Sequence, residues 1–180
     1  MKIVPIEEIP KAQLVPSDAD SMLINKLWAI TEEMCQFCIQ DDGIGLHAVQ
    51  VGIIWDLFIV NLKAMIPSTK EDKFYRYFNC SYRPDFNGID KEGIDLSMPV
   101  KSIEGCLSLN IPERKRYFEV PRYRRVIVEG KILRKNLNNK IVADDIAFDL
   151  EGLGAIVYQH EIDHGKSILV SDIGTEIQVY

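Results

Sequence analysis

The sequence has 180 residues, 47% of them hydrophobic and 27% charged, with a net charge of −6. That length suits one domain with a core of its own, and the acidic balance argues against broad binding to nucleic acid or anionic membranes. No stretch is long and apolar enough to span a bilayer, and Met1-Lys2-Ile3-Val4-Pro5-Ile6-Glu7-Glu8 is too short and too acidic for a secretory signal. Four cysteines, at 35, 38, 80 and 106, show no disulfide-framework spacing, so one domain over residues 1–180 in a reducing cytoplasm is expected.

Ser17 or Asp18 can cap a helix running to about residue 40, where Leu23, Leu27, Ile30, Met34 and Phe37 recur at helical spacing and face the core. Cys35 and Cys38 form a C-x-x-C inside this helix, with no second pair, and read as core. Asp41-Asp42-Gly43-Ile44-Gly45 breaks the helix, and a turn near Gly52 leads into a buried strand over residues 55–62. Residues 64–73 read as an exposed loop before a strand over 74–82. Short strands are expected at 95–100, 104–109 and 117–120, and a longer one at 125–133, joined by an Asn138-Asn139 turn to a strand over 141–147. Arg114, Lys115, Arg116, Arg122, Arg124 and Arg125 make one basic stretch, read as a solvated loop and strand. The last helix should begin near residue 149 or 151 and end at Gly165, a suitable C′ residue, with a terminal strand beyond it.

On that helix His160, Glu161 and His164 form an H-E-x-x-H pattern. Two histidines four residues apart project from one face and reach one divalent metal; the glutamate falls beside it, placed to move protons to and from a bound water. Leu153, Ile156 and Val157 share that face, so the pair continues a buried stripe. Read alone, the pattern also fits two hydrogen-bonded core histidines, and it does not separate a metalloprotease from other metal hydrolases. Downstream of His164 the acidic side chains are Asp172 and Glu176. Upstream, Cys106 in Ile103-Glu104-Gly105-Cys106-Leu107-Ser108 completes one thiol and two imidazoles with an open fourth position.

With these residues in place the chain resembles the peptide deformylases. That family is marked by three motifs, matched in order by Gly43-Ile44-Gly45-Leu46-His47-Ala48-Val49-Gln50, by Glu104-Gly105-Cys106-Leu107-Ser108, and by Gln159-His160-Glu161-Ile162-Asp163-His164. The resemblance implies an α+β fold, with small antiparallel sheets around a central metal-binding helix. It implies a metallohydrolase that removes the N-formyl group from formyl-methionyl peptides and releases formate. Cys106, His160 and His164 would hold one divalent ion, Fe²⁺ as the native metal with Zn²⁺ or Ni²⁺ as alternatives. Glu161 would act as general base and then acid; Gln50 and the Leu107 N–H would donate to the developing oxyanion.

The same resemblance places the substrate. Ile44 and Gly45 would pair with it as an added strand, Glu104 and Gly105 would line the groove, and Ile44, Leu153, Ile156 and Val157 would wall a methionine pocket. For these four, ordinary core packing reads equally well. Arg122 would pair with Glu104 or Asp163 behind the metal ligands. Several positions depart from the family pattern. His47 replaces the first of two usual alanines, which reads as a surface or hydrogen-bonded histidine rather than a fourth ligand, and Val49 replaces a frequent proline. Ser102 stands where an apolar pocket residue is usual, and Leu109-Asn110-Ile111-Pro112 lengthens the segment after the second motif. The chain ends at Tyr180 without the long terminal helix that bacterial members use to dock on the ribosome, as in compact, phage-type forms, so any ribosome association would use another route. A metal-dependent amidase or peptidase, and a lapsed relative that binds formylated termini without cutting them, remain as competing functions.

Overall fold

The strand β2 (Leu57–Asn61) is buried at every residue, and that fact organises the molecule. Alternate side chains of a strand point to opposite faces, so complete burial means that both faces are covered. In the computed structural model, which describes residues 1–178 except 67, 86–88, 90–92, 94, 96–97 and 111–113, the two covers are helices. Leu57 and Ile59 pack with Leu27, Met34 and Cys38 of α1 (Ser21–Gln40). Phe58 and Val60 pack with Ala155, Tyr158 and Ile162 of α2 (Gly152–Gly165).

The sheet between the helices has five antiparallel strands in the order β1-β2-β3-β6-β7, with β1 (Gly45–His47), β3 (Phe74–Pro84), β6 (Arg125–Lys135) and β7 (Ile141–Glu151) joining β2. A second antiparallel sheet, β4-β5-β8, is built from β4 (Pro99–Gly105), β5 (Tyr117–Tyr123) and β8 (Thr175–Ile177). Its core of Cys106, Leu109, Phe118 and Val120 is closed by Val170 of the single-turn helix α3 (Val170–Ile173). Antiparallel sheets wrapped around α2 are the α+β arrangement expected from the sequence.

Several boundaries differ from expectation. α1 is capped by Asp20, whose carboxylate accepts from Leu23 N–H at 2.8 Å, because residues 16–19 first close a turn and delay the start past Ser17 and Asp18. β7 continues to Glu151, held by pairing of Arg125 with Glu151, and Gly152 at φ +62° makes the sharp passage into α2. Gly165 is the last residue of α2, and Ser167 takes the left-handed conformation beyond it. The expected strand over 104–109 splits into the end of β4 and a 3-10 turn, Leu107–Leu109. The strand expected at 95–100 lies partly outside the described residues, as do Ile111 and Pro112 of the lengthened segment. The end of the chain combines α3 with the strand β8, which pairs with β5.

α2 is buried on more than the stripe read from its sequence. Gly154, Ala155, Tyr158, Gln159, Ile162 and Asp163 are buried as well, as suits a helix wrapped by two sheets. Tyr158 sits edge-on to Phe58, Tyr77 and Phe148, and the Gln159 amide bonds both Tyr123 N (3.0 Å) and Tyr123 O (2.8 Å), fixing α2 to β5. Cys35 and Cys38 are buried free thiols in α1, as expected of core residues. The basic stretch is dispersed: Arg116 pairs with Glu176, Arg125 with Asp149, and Arg122 is buried. Among the described residues no helix is long and apolar enough to cross a membrane.

Candidate active site

Three elements bring the site together. α2 presents His160, Glu161 and His164; the residue after β4 is Cys106; and the 3-10 turn after β1, Ala48–Val51, carries Gln50. Cys106 Sγ lies 3.5 Å from His164 Nε2, and His164 Nε2 lies 3.2 Å from His160 Nε2. A tetrahedral ion with bonds of ordinary Zn–S and Zn–N length would hold its ligand atoms about 3.6 Å (S to N) and about 3.3 Å (N to N) apart. The donor set therefore fits a divalent cation in both chemistry and spacing.

The atoms around this triad decide which lone pairs face inward. Glu104 Oε2 lies 2.9 Å from His160 Nδ1, which places the proton there and leaves the Nε2 lone pair facing Cys106 and His164. Burial opposes the charged form of His160, yet its bonds to Cys106 and Glu104 prevail and hold its pKa well above the ordinary value in the metal-free chain. Burial drives His164 the other way, and its Nδ1 is buried with no partner among the described residues. Glu104 is gripped by Arg122 through two bonds, Nε to Oε1 at 2.8 Å and Nη2 to Oε2 at 3.0 Å. Arg122 Nη1 reaches Asp163 Oδ2 at 2.5 Å, and Tyr82 Oη donates to Asp163 Oδ1 at 3.1 Å. Arg122 thus holds both of the partners considered for it. Glu104 is engaged with His160 and also lines the cleft.

Glu161 is enclosed. Burial pushes its pKa up to about 7, the neighbouring His160 countering only in part, and its Oε2 has no partner among the described residues. Gly45 lies against it: a Cβ there would stand 2.9 Å from Glu161 Cδ and closer still to Oε1. Gln50 Nε2 lies 3.0 Å from Ser108 Oγ and 3.7 Å from Cys106 Sγ. Leu107 opens its 3-10 turn, where a backbone N–H has no acceptor within the turn.

These groups floor a cleft of about 310 Å³. Its sides are two sheet ends, with Ile44 and Gly45 at β1 and residues 102–105 of β4, each the outer strand of its sheet. Ile44 O already accepts from Asn61 N–H at 2.8 Å, so by antiparallel alternation the Gly45 backbone is the one that faces away from β2. Ile156 and Val157 line the interior, while Ile44 and Leu153 are exposed at the mouth, 39% and 43% accessible. Ser102 is buried on the cleft wall.

A family model described as polypeptide deformylase matches residues 3–178. The chain belongs to the polypeptide deformylase family. A peptide deformylase of Wolbachia pipientis from Culex pipiens is 29% identical over 94% of this chain and 86% of its own length. One from Desulfosudis oleivorans is 31% identical over 85% of this chain and 74% of its own. The crystal structure of a probable peptide deformylase from Synechococcus phage S-SSM7 superposes with a TM-score of 0.63 at 26% identity, covering 96% of this chain and 98% of the phage protein. The chain is accordingly a deformylase-family enzyme, in a metal-dependent family that acts on formylated nascent peptides.

Not every residue of the deformylase site was visible in the sequence. Ser108 belongs to the second motif, yet its contact with Gln50 depends on the 3-10 turn that follows Cys106. Tyr82 carries no motif signal. Asp56 lies 3.1 Å from His47 Nε2 and makes His47 a buried, hydrogen-bonded residue, which burial keeps below its ordinary pKa.

Proposed function

We propose that this chain removes the formyl group from the N-terminal formyl-methionine of newly made peptides, releasing formate, as a single catalytic domain. The reading rests on one observation above others: Cys106 Sγ and the Nε2 atoms of His160 and His164 converge beside the buried Glu161 carboxylate, with the Gln50 amide near Cys106.

Cys106, His160 and His164 would hold one divalent ion; a thiolate with two imidazoles accepts Fe²⁺, Zn²⁺ or Ni²⁺ alike, and the family resemblance makes Fe²⁺ the native metal. When bound, the ion would supply Lewis acidity to the formyl carbonyl and to the attacking water. Glu161, a buried carboxylate beside the metal-ligand candidates, takes a proton from the attacking water and can return it. As the formyl carbon becomes tetrahedral, Gln50 Nε2 and the Leu107 N–H donate to its oxygen. Glu161 then delivers the proton to the departing nitrogen as the C–N bond breaks, leaving a free amino terminus and formate.

The substrate backbone runs in the cleft between Gly45 of β1 and Gly105 of β4 as an added strand, so its sequence is read mainly at methionine. Ile156 and Val157 contact that side chain, with Ile44 and Leu153 at the rim. Arg122 and Asp163 act through Glu104 and His160, keeping the ligand ring oriented. The reaction belongs in the cytoplasm, where nascent chains are met. The test compares formyl-Met-Ala, acetyl-Met-Ala and an internal peptide. Rapid turnover of the first alone supports the proposal; equal cleavage of all three makes the chain a general amidase or peptidase, and tight binding without turnover makes it a lapsed relative.

A further inference from the structure

His47 is the N-cap of the 3-10 turn that carries Gln50, and it is fully buried. Both of its ring nitrogens are engaged. Nδ1 accepts from the Val49 N–H at 3.3 Å, and Nε2 meets Asp56 Oδ1 at 3.1 Å. Together these contacts demand one tautomer, because a ring that accepts at Nδ1 carries its proton on Nε2, where Asp56 receives it. Neither nitrogen is left to bind a metal, and the ring centroid stands 6.5 Å from that of His164.

The backbone of the same residue acts on Gln50. His47 N–H donates to Gln50 Oε1 at 2.8 Å, which pins the oxygen of the side-chain amide. With Oε1 fixed, the NH₂ group must point the other way, toward Ser108 Oγ and Cys106 Sγ, where the formyl oxygen is to be met. A turn this short has little cohesion of its own, so a side-chain cap matters to where it sits. The His47 and Asp56 pair also abuts the end of α2. A Cβ on Gly165 would stand 2.7 Å from Asp56 Oδ1 and 3.1 Å from His47 Nε2, one residue past His164. The turn is therefore registered against the helix that bears the metal ligands.

We infer that His47, held in one tautomer by Asp56, is a positioning residue that aims the Gln50 amide at the formyl oxygen. The inference rests on the oxyanion role given to Gln50 above, and the experiment separates the two. The metal-loaded Gln50→Ala, His47→Ala and His47→Asn variants are assayed on formyl-Met-Ala, with metal content measured and the Gln50 side-chain NH₂ signals followed by ¹H–¹⁵N NMR.

Deleting the donor in Gln50→Ala should lower kcat about 10²-fold, and misaiming it in His47→Ala about tenfold with KM and metal content unchanged. His47→Asn should recover most of that loss, since Asn Oδ1 lies as many bonds from the backbone as His Nδ1 and accepts the same N–H. The Gln50 NH₂ signals should move in His47→Ala and stay in place in His47→Asn. Full turnover in Gln50→Ala overturns the oxyanion role and the inference with it. A slow Gln50→Ala beside a fast His47→Ala, or a His47→Asn as slow as His47→Ala, overturns the inference alone. Should His47→Ala not fold, the His47→Asn spectrum decides: unmoved Gln50 signals support the role and displaced ones contradict it.

Discussion

Glu104 joins a metal-ligand candidate to a buried arginine: its Oε2 lies 2.9 Å from His160 Nδ1, and its Oε1 lies 2.8 Å from Arg122 Nε. Burial opposes the Glu104 charge, but the bonds from His160 and Arg122 outweigh it and hold the pKa below the usual carboxylate value. The carboxylate orients His160 only because Arg122 stabilises it from behind. Arg122→Leu leaves both Glu104 and Asp163 buried without their cation and should cost about 3–5 kcal/mol of stability. Glu104→Gln keeps the shape and removes the charge, and should weaken metal affinity about 10- to 100-fold. Urea unfolding checks the first, and chelator competition the second; unchanged metal affinity in both variants would contradict the arrangement.

Gly45 bears on the general base by contact. A methyl group there forces the Glu161 carboxylate to swing away, while the metal donors, on other atoms, stay where they are. Gly45→Ala should therefore lose about 10²-fold in kcat, the scale of an ångström-level misplacement, with full metal content. Metal analysis beside steady-state kinetics separates this from simple loss of the ion.

Glu161 makes the metal-free chain sensitive to pH. Its folded pKa, about 7, lies above the ordinary 4.5, so folding favours the protonated form. The stability it contributes is present below about pH 4.5 and is lost as pH rises through 7, a change on the order of 3 kcal/mol. Glu161→Gln should raise the Tm of the metal-free protein at pH 8 and leave it nearly unchanged at pH 4.5. Equal shifts at the two pH values would show that Glu161 does not carry the effect.

The site was legible in the sequence where covalent spacing fixes geometry. Two histidines four apart on a helix share a face whatever surrounds them, and Cys106 followed from the third ligand such a pair requires, whereas Arg122 came from the family resemblance. Where tertiary contact decides, the sequence was silent. Glu104 lines the cleft and also meets His160 Nδ1, a contact that its motif does not announce. A hydrogen-bonded His47 was expected without its partners, because Val49 N–H and Asp56 become its neighbours only after the turn and β2 are folded. The α2 stripe came out too narrow because a helix between two sheets buries nearly its whole surface. β7 outran its expected end because pairing with β6 outweighs the poor strand propensity of Asp149.

The most direct measurement is formate release from formyl-Met-Ala by metal-stripped protein, titrated anaerobically with Fe²⁺ and in parallel with Zn²⁺, for the native chain, Cys106→Ala and Glu161→Gln. The account predicts that activity appears only with added ion and saturates at one per chain. Cys106→Ala should fail to retain the ion, and Glu161→Gln should bind it yet release almost no formate. Formate release without metal, or undiminished release by Glu161→Gln, would contradict the account.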